Sequence, residues 1–149
     1  MRAVVQRVTR ASVTVEDEVL GEIGPGLVVL LGIGEGDDAA DARGLADRLV
    51  NLRVFPDEDD RMNVSGLDAG ADLLVISQFT LYGDCSGGRR PSFVRAAAPG
   101  AARDLYAGFL DFLGAYPLRV ETGEFGAMMT VSLDNWGPVT LLLDTEGEL

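Results

Sequence analysis

The sequence predicts one mixed α/β domain, with strands at both ends of the chain, two main helices between them, and sheets covered by helices on one side. Three observations carry this expectation. Val- and Thr-rich alternating stretches open the chain, two runs of helical periodicity occupy its middle, and three strand-like runs close it. The length of 149 residues suits a single domain, and an apolar fraction of 47% suffices for a true core, which excludes global disorder. No internal repeat, linker or low-complexity tract divides the chain, so residues 1–149 form one domain.

Residues 3–8 and 11–16 are predicted strands, with Val13 and Val15 alternating against Thr14 and Glu16. A short strand over 19–23 follows, then the turn Gly24-Pro25-Gly26. Residues 27–33 form a continuous apolar run, as expected of a strand buried on both faces. Asp37 or Asp38 offers an N-cap for a helix in which Ala42, Leu45, Ala46, Leu49 and Val50 recur at helical spacing up to about Arg53. A polar turn spans 56–60, and 72–76 is another buried strand. Residues 83–91 are loop. The second helix spans 101–113, preceded by Pro99-Gly100 and ended by Gly114 and Pro117. Strands are expected over 118–122, 127–133 and 139–143, with an acidic tail from 144.

Composition removes whole classes of chemistry. The 12 basic residues are all Arg, there is no His, and 24 Asp and Glu give a net charge of −12. Without His or Lys there is no Ser-His-Asp or Cys-His catalysis, no Schiff-base or Walker lysine, and no His-containing zinc site. Any acid–base group must be Asp, Glu, Tyr, Cys or the N-terminal amine, unless the protein borrows a catalytic group from its substrate or works through backbone dipoles. The single cysteine, Cys85, cannot form an internal disulfide. The longest apolar run falls far short of the ~20 residues that span a bilayer, and no signal sequence opens the chain, so a soluble cytoplasmic protein is expected. The acidic balance disfavours broad non-specific nucleic-acid binding but leaves room for a local basic patch.

Several segments carry possible chemistry. Ser77-Gln78-Phe79-Thr80 follows directly on a buried strand, where freed backbone N–H groups can face a developing oxyanion; the alternative is a strand leaving the sheet with its polar groups capped. Gly87-Gly88-Arg89-Arg90-Pro91 carries two adjacent arginines, a candidate phosphate contact or a solvated face. Gly137-Pro138 stands between two predicted strands, where a turn is the ordinary reading. Gly32-Ile33-Gly34-Glu35-Gly36 matches neither glycine-rich phosphate motif and is assigned as a connection, and Asp57-Glu58-Asp59-Asp60 lacks the spacing of a calcium loop.

Taken together, Gln6-Arg7-Val8-Thr9-Arg10-Ala11-Ser12-Val13, Ser77-Gln78-Phe79-Thr80-Leu81, Arg90-Pro91-Ser92-Phe93 and Asn135-x-Gly137-Pro138-Val139-Thr140 resemble the D-aminoacyl-tRNA deacylases, also called D-tyrosyl-tRNA deacylases. Phe125-Gly126-Ala127-x-Met129 is a further match, and the matches run in family order over nearly the whole chain.

The resemblance implies the deacylase fold and hydrolysis of the ester joining a D-amino acid to the 3′ end of tRNA. It also implies removal of glycine mischarged on tRNA for alanine. It implies a homodimer with aminoacyl-tRNA as partner and no metal or organic cofactor. In that family the segment matching Ser77, Gln78, Phe79 and Thr80 lines the pocket and turns backbone N–H groups to the scissile carbonyl. The Gly137-Pro138 peptide is expected to be cis and to reach into the partner subunit's site, where its carbonyls hold the α-amino group and exclude L-amino acids. Phe125, Gly126, Ala127 and Met129 are expected as a strand against the terminal adenosine, and Arg7 as the support of the Gly-Pro turn. Arg89 and Arg90 remain candidates for tRNA phosphate. The substrate's ribose hydroxyl beside the ester supplies the proton route that the composition lacks; a covalent Thr80 nucleophile would need a base. Trp136 and Met128 stand where acidic residues are common in the family, and Thr130 where Lys or Gln is frequent.

Overall fold

The computed structural model describes all 149 residues. In chain order the elements are β1 (Arg2–Val15), β2 (Glu18–Ile23), β3 (Gly26–Gly32), α1 (Ala39–Val50), β4 (Phe55–Pro56), β5 (Met62–Val64), α2 (Gly66–Ala69), β6 (Asp72–Ser77), a 3₁₀ turn over Phe79–Tyr82, α3 (Pro99–Leu113), β7 (Val120–Thr122) and β8 (Thr130–Asp144). No helix is long and apolar enough to cross a membrane.

Strand β1 organises the main sheet. One edge pairs antiparallel with β8 along most of its length. The other edge pairs with β3 through Arg2–Val8 and with β2 through Ala11–Val15. Strands β2 and β3 therefore run as one line, interrupted at Gly24-Pro25. The β1–β2 reversal is tight because Glu16 and Asp17 both take positive φ, 49° and 66°, as a two-residue hairpin turn requires. Beyond β3 the sheet becomes parallel, with β6 and then β7 added in the same direction. The small hairpin β4–β5 stands apart.

Each face of this sheet has its own core. On one, α1 and α3 lay Leu45, Leu49, Phe109 and Leu113 against Val5, Leu27, Val29, Leu73 and Val75. On the other, Val8, Val13, Ile23, Val28, Leu74 and Ile76 gather as the sheet curls on itself. The curl brings β2 against β7; a Cβ on Gly21 would lie 2.9 Å from the Thr122 carbonyl, so only glycine allows that approach. Helices thus cover one side, as expected.

Helix α1 starts at a capping box. Asp38 accepts from the N–H groups of Ala40 (2.8 Å) and Asp41 (3.1 Å), and Asp41 accepts from the Asp38 N–H at 2.9 Å. Asp37 serves elsewhere, accepting from the Met1 ammonium at 2.6 Å and the Gly34 N–H at 2.5 Å. Helix α3 begins at Pro99, two residues before the predicted start, since proline is well suited to the first turn.

The structure corrects three expectations and adds a hairpin around a fourth. Residues 3–8 and 11–15 lie in one strand, with Glu16 in the turn that follows; the interruption between them is an irregularity in the β1–β8 register between Val8 and Arg10. It changes the strand's parity, so Ala3 and Val5 face the helices while Ala11 and Val13 face the inner core. Likewise 139–143 and the end of 127–133 belong to one strand, β8, so Gly137-Pro138 is no hairpin turn. It lies in a bulge within the strand: Gln6 pairs with Thr140 and Val8 with Asn135, leaving 136–139 opposite Arg7 alone. Phe125 to Met129 form a turn rather than a strand, because Gly126 takes φ 78° and the chain must reverse between β7 and β8. The polar turn over 56–60 is the tip of the β4–β5 hairpin, two strands too short for periodicity to reveal.

Candidate functional site

The parallel strands β3, β6 and β7 end on the same side of the sheet, the usual place for a site in a parallel sheet. Ser77, the last residue of β6, pairs with Leu31. The Gln78 N–H donates to the Leu31 carbonyl at 2.7 Å, and the chain then leaves the sheet as the 3₁₀ turn. Within that turn the Leu81 N–H reaches the Gln78 carbonyl (3.3 Å) and the Gly83 N–H the Thr80 carbonyl (2.9 Å). The first N–H groups, those of Phe79 and Thr80, have no acceptor inside the turn. Both residues are exposed, and unpaired N–H groups at the start of such a turn are the kind of donor that can meet a developing oxyanion.

The turn is held from below by residues that the sequence did not single out. Arg2 donates through Nη1 to the Leu81 carbonyl at 3.2 Å, and its guanidinium lies 4.6 Å from the centre of the Tyr82 ring. Arg2 is itself placed by Asp144 at 3.5 Å and Glu148 at 2.7 Å. Gly32 gives the turn room: a Cβ there would stand 3.0 Å from Leu81 Cβ and 3.1 Å from the Gln78 carbonyl. Nothing local in the sequence marks Arg2 or Tyr82; only the pairing of β1 with β3 brings Arg2 to this end.

No carboxylate or other base hydrogen-bonds the Thr80 hydroxyl. The Gln78 side-chain amide donates to the Thr80 hydroxyl. Asp84, the nearest carboxylate in sequence, accepts from the Ser86 N–H at 2.8 Å, and this holds its carboxyl below the ordinary range, which makes it a poor base. Burial pushes the Tyr82 phenol well above its ordinary value and the Tyr106 phenol up to about 12, so both stay neutral at physiological pH.

The second predicted segment follows β7, the neighbour of β6. The register Val75↔Thr122 sends the chain out of β7 next to Ser77. Phe125 then packs on Tyr106 (ring centroids 5.8 Å apart) with the Arg103 guanidinium 5.1 Å from its ring centre. Met129 folds inward against the inner core; a Cβ on Gly123 would lie 2.5 Å from its sulfur and 3.5 Å from Ile76 Cδ1. Met128 points away, 91% exposed. Arg89 and Arg90 sit in an exposed loop closed by paired backbone hydrogen bonds between Asp84 and Ser92. Phe93 joins that loop to the turn by an edge-on contact with Phe79 at 5.1 Å. Neither arginine takes part in an ion pair, unlike Arg2, Arg10, Arg95 and Arg119.

Gly137-Pro138 is not part of this cluster. The peptide bond is cis and the bulge is exposed. Through Leu31, Ala3 and Leu143, Ser77 is three strands removed from β8, about 14 Å across the sheet, and the bulge lies about 13 Å further along the strands. Below the bulge, Arg7 donates from Nε to the Trp136 carbonyl (3.1 Å) and from Nη1 to the buried Val54 carbonyl (2.7 Å). Asn135 closes the base, accepting from the Val139 N–H at 3.1 Å and donating to the Thr140 hydroxyl at 3.0 Å.

The family model described as D-Tyr-tRNA(Tyr) deacylase matches residues 4–144 of this chain. The chain belongs to that family. Its curated relatives include the D-aminoacyl-tRNA deacylase of Roseiflexus sp. (strain RS-1), 60% identical over 148 residues and covering 97% of this chain and 94% of the relative. The D-aminoacyl-tRNA deacylase of Thermosipho africanus is 55% identical over 146 residues, 98% of each chain. Among solved structures, one described as c-Myc DNA Unwinding Element Binding Protein superposes with a TM-score of 0.91 at 42% identity, covering 97% of this chain and 99% of the other. A probable eukaryotic D-amino acid tRNA deacylase, 19% identical, shares the fold with a TM-score of 0.78 over 95% of this chain and 97% of its own. The family places the chain among hydrolases of ester bonds.

Proposed function

We propose that the protein hydrolyses the ester between a D-amino acid and the 3′ end of tRNA, and that it also clears glycine mischarged on tRNA for alanine. The observation that carries this is the family match over residues 4–144, supported by the placing of the Ser77–Thr80 segment and the Phe125–Met129 turn after neighbouring parallel strands, at their carboxyl ends. Water attacks the ester carbonyl, the N–H groups of Phe79 and Thr80 receive the charge on its oxygen, and the adenosine's own ribose hydroxyl assists proton transfer. The bond between the acyl carbon and the tRNA 3′-oxygen breaks, that oxygen takes up the proton given up by the attacking water, and free D-amino acid departs. This route calls on no cofactor.

Phe125, Gly126, Ala127 and Met129 receive the terminal adenosine, and Arg89 and Arg90 the backbone phosphates near it. Gly137 and Pro138 read the handedness of the α-carbon, because an enzyme blind to the side chain must grip what all amino acids share. The separation of the bulge from Ser77 within one chain supports a homodimer in which each bulge serves the partner's site. The place of work is the cytoplasm, where aminoacyl-tRNA is found.

Incubation with D-Tyr-tRNA, L-Tyr-tRNA, Gly-tRNA for alanine and free D-Tyr ester, followed by release of amino acid, tests the reading. Release from D-Tyr-tRNA but not L-Tyr-tRNA is expected. Hydrolysis of the free ester alone would make the protein a small-molecule esterase, and no release from any substrate would leave only a binding domain.

A further inference from the structure

Arg7 is a buried cation without a counter-charge. It is 8% exposed and belongs to none of the ion pairs of the chain. A charge withdrawn from water without an opposite charge is costly, so something else must compensate it. Two backbone carbonyls do part of this, those of Trp136 and Val54. The remaining contact is the indole of Trp136, whose ring centre lies 4.2 Å from the guanidinium carbon. The negative face of an indole is the best aromatic surface for a cation. Trp136 is in turn set against Phe55 of the β4–β5 hairpin, with ring centroids 6.3 Å apart, so the stack is anchored to a second element. The same guanidinium stands under the bulge: its Nη2 lies 3.1 Å from where a Cβ of Gly137 would be.

We propose that Trp136 is a positioning residue for the deacylase reaction, acting through Arg7: its indole face holds the guanidinium against the Trp136 carbonyl and so fixes where the Gly137-Pro138 backbone stands. The inference rests on the deacylase reading above. It deepens it by assigning the placing of the bulge to a side chain packed between Arg7 and Phe55. If the ring is lost, the cheapest way to relieve the buried charge is for Arg7 to swing toward water, releasing the carbonyl that it holds. A leucine fills much of the same volume yet offers no electron-rich face, whereas a phenylalanine retains one.

Trp136 is the only tryptophan in the chain, which gives the test a spectroscopic arm. Trp136→Leu, Trp136→Phe and wild type are compared for kcat and KM on D-Tyr-tRNA and L-Tyr-tRNA, with Tm measured alongside. Acrylamide quenching of Trp136 fluorescence is compared between wild type and Arg7→Met. The expected result is a kcat on D-Tyr-tRNA lowered at least about tenfold in Trp136→Leu, a narrowed D-to-L ratio, and substantial rescue by Trp136→Phe, since a misplaced contact slows the reacting complex more than its formation. Quenching rises in Arg7→Met because the thioether makes neither carbonyl hydrogen bond and is no longer pinned against the ring face. Wild-type kinetics in Trp136→Leu would overturn the proposal, as would equal losses in the Leu and Phe variants that track Tm, or unchanged quenching in Arg7→Met. A wild-type protein inert toward D-Tyr-tRNA is a failure of the deacylase reading instead, and the quenching comparison then decides the Trp136–Arg7 contact by itself.

Discussion

The side-chain amide of Gln78 donates to the hydroxyl of Thr80. Thr80 therefore meets a donor where a nucleophilic threonine would need an acceptor for its proton. Thr80→Ala is expected to keep kcat/KM for D-Tyr-tRNA within about tenfold of wild type, against the several orders of magnitude that removal of a nucleophile costs. Single-turnover kinetics with mass spectrometry of the quenched protein checks this; an acyl adduct on Thr80 would restore the covalent route.

Gly137→Ala is expected to damage selectivity more than folding. Gly137 has φ 130°, a conformation open to glycine and rarely to other residues, and a Cβ there would lie 2.8 Å from Val139 Cγ2 and 3.1 Å from Arg7 Nη2. The bulge is exposed, so the main sheet can absorb the change while the bulge moves. The expected outcome is a loss of at least about tenfold in kcat/KM on D-Tyr-tRNA and a Tm lowered by only a few degrees. Full D-specific activity in this variant would remove the bulge from the mechanism.

Arg89→Ala with Arg90→Ala is expected to raise KM for aminoacyl-tRNA several-fold and to leave kcat nearly unchanged. If each arginine neutralises one single-stranded phosphate, the slope of log K against log salt falls by roughly 0.7 per arginine. A KM series from about 50 to 200 mM salt reads both quantities. An unchanged KM would make the loop a solvated face.

Alkaline stability is expected to depend on Tyr106. Burial raises its phenol to about 12, so the folded state keeps a proton that the unfolded chain releases near the ordinary value of 10.0. The stabilisation is fully present below pH 10 and declines as pH rises toward 12, because the unfolded state then binds fewer protons. Tyr106→Phe should flatten this decline between those values, at a cost near neutrality of about 1 kcal/mol for the lost hydrogen bond to the Val75 carbonyl. Tm measured against pH for both proteins is the check.

Much of the site was legible because its signals are local. The apolar run into Ser77 ends in polar residues at the point where β6 leaves the sheet, and Asp38 caps α1 as its position before the helical stripe implied. What was not legible depends on register. Val8 and Ala11 look like members of two strands because their spacing is odd; only pairing with β8 shows a single strand that changes face. The Phe125–Met129 run resembles a strand in composition, yet Gly126 turns it back. That Ser77 and Gly137 lie apart follows from the strand order β6-β3-β1-β8, which no stretch of sequence states by itself.

The parity change shared by β1 and β8 constrains how this protein can vary in length. Val5 and Leu143 serve the helix-side core, Val13 and Val131 the inner one, and the irregularities at Val8–Arg10 and residues 136–139 set the phase between those halves. Deleting or inserting one residue at either place would turn half a strand inside out. The hairpin tip at 56–60 and the loop at 84–91 carry no such phase, so a change of length there leaves the faces of the strands as they are. Lineages descended from a common ancestor should therefore differ by insertions at these two loops and keep an invariant residue count from Val5 to Val13 and from Val131 to Leu143, even where the side chains themselves diverge.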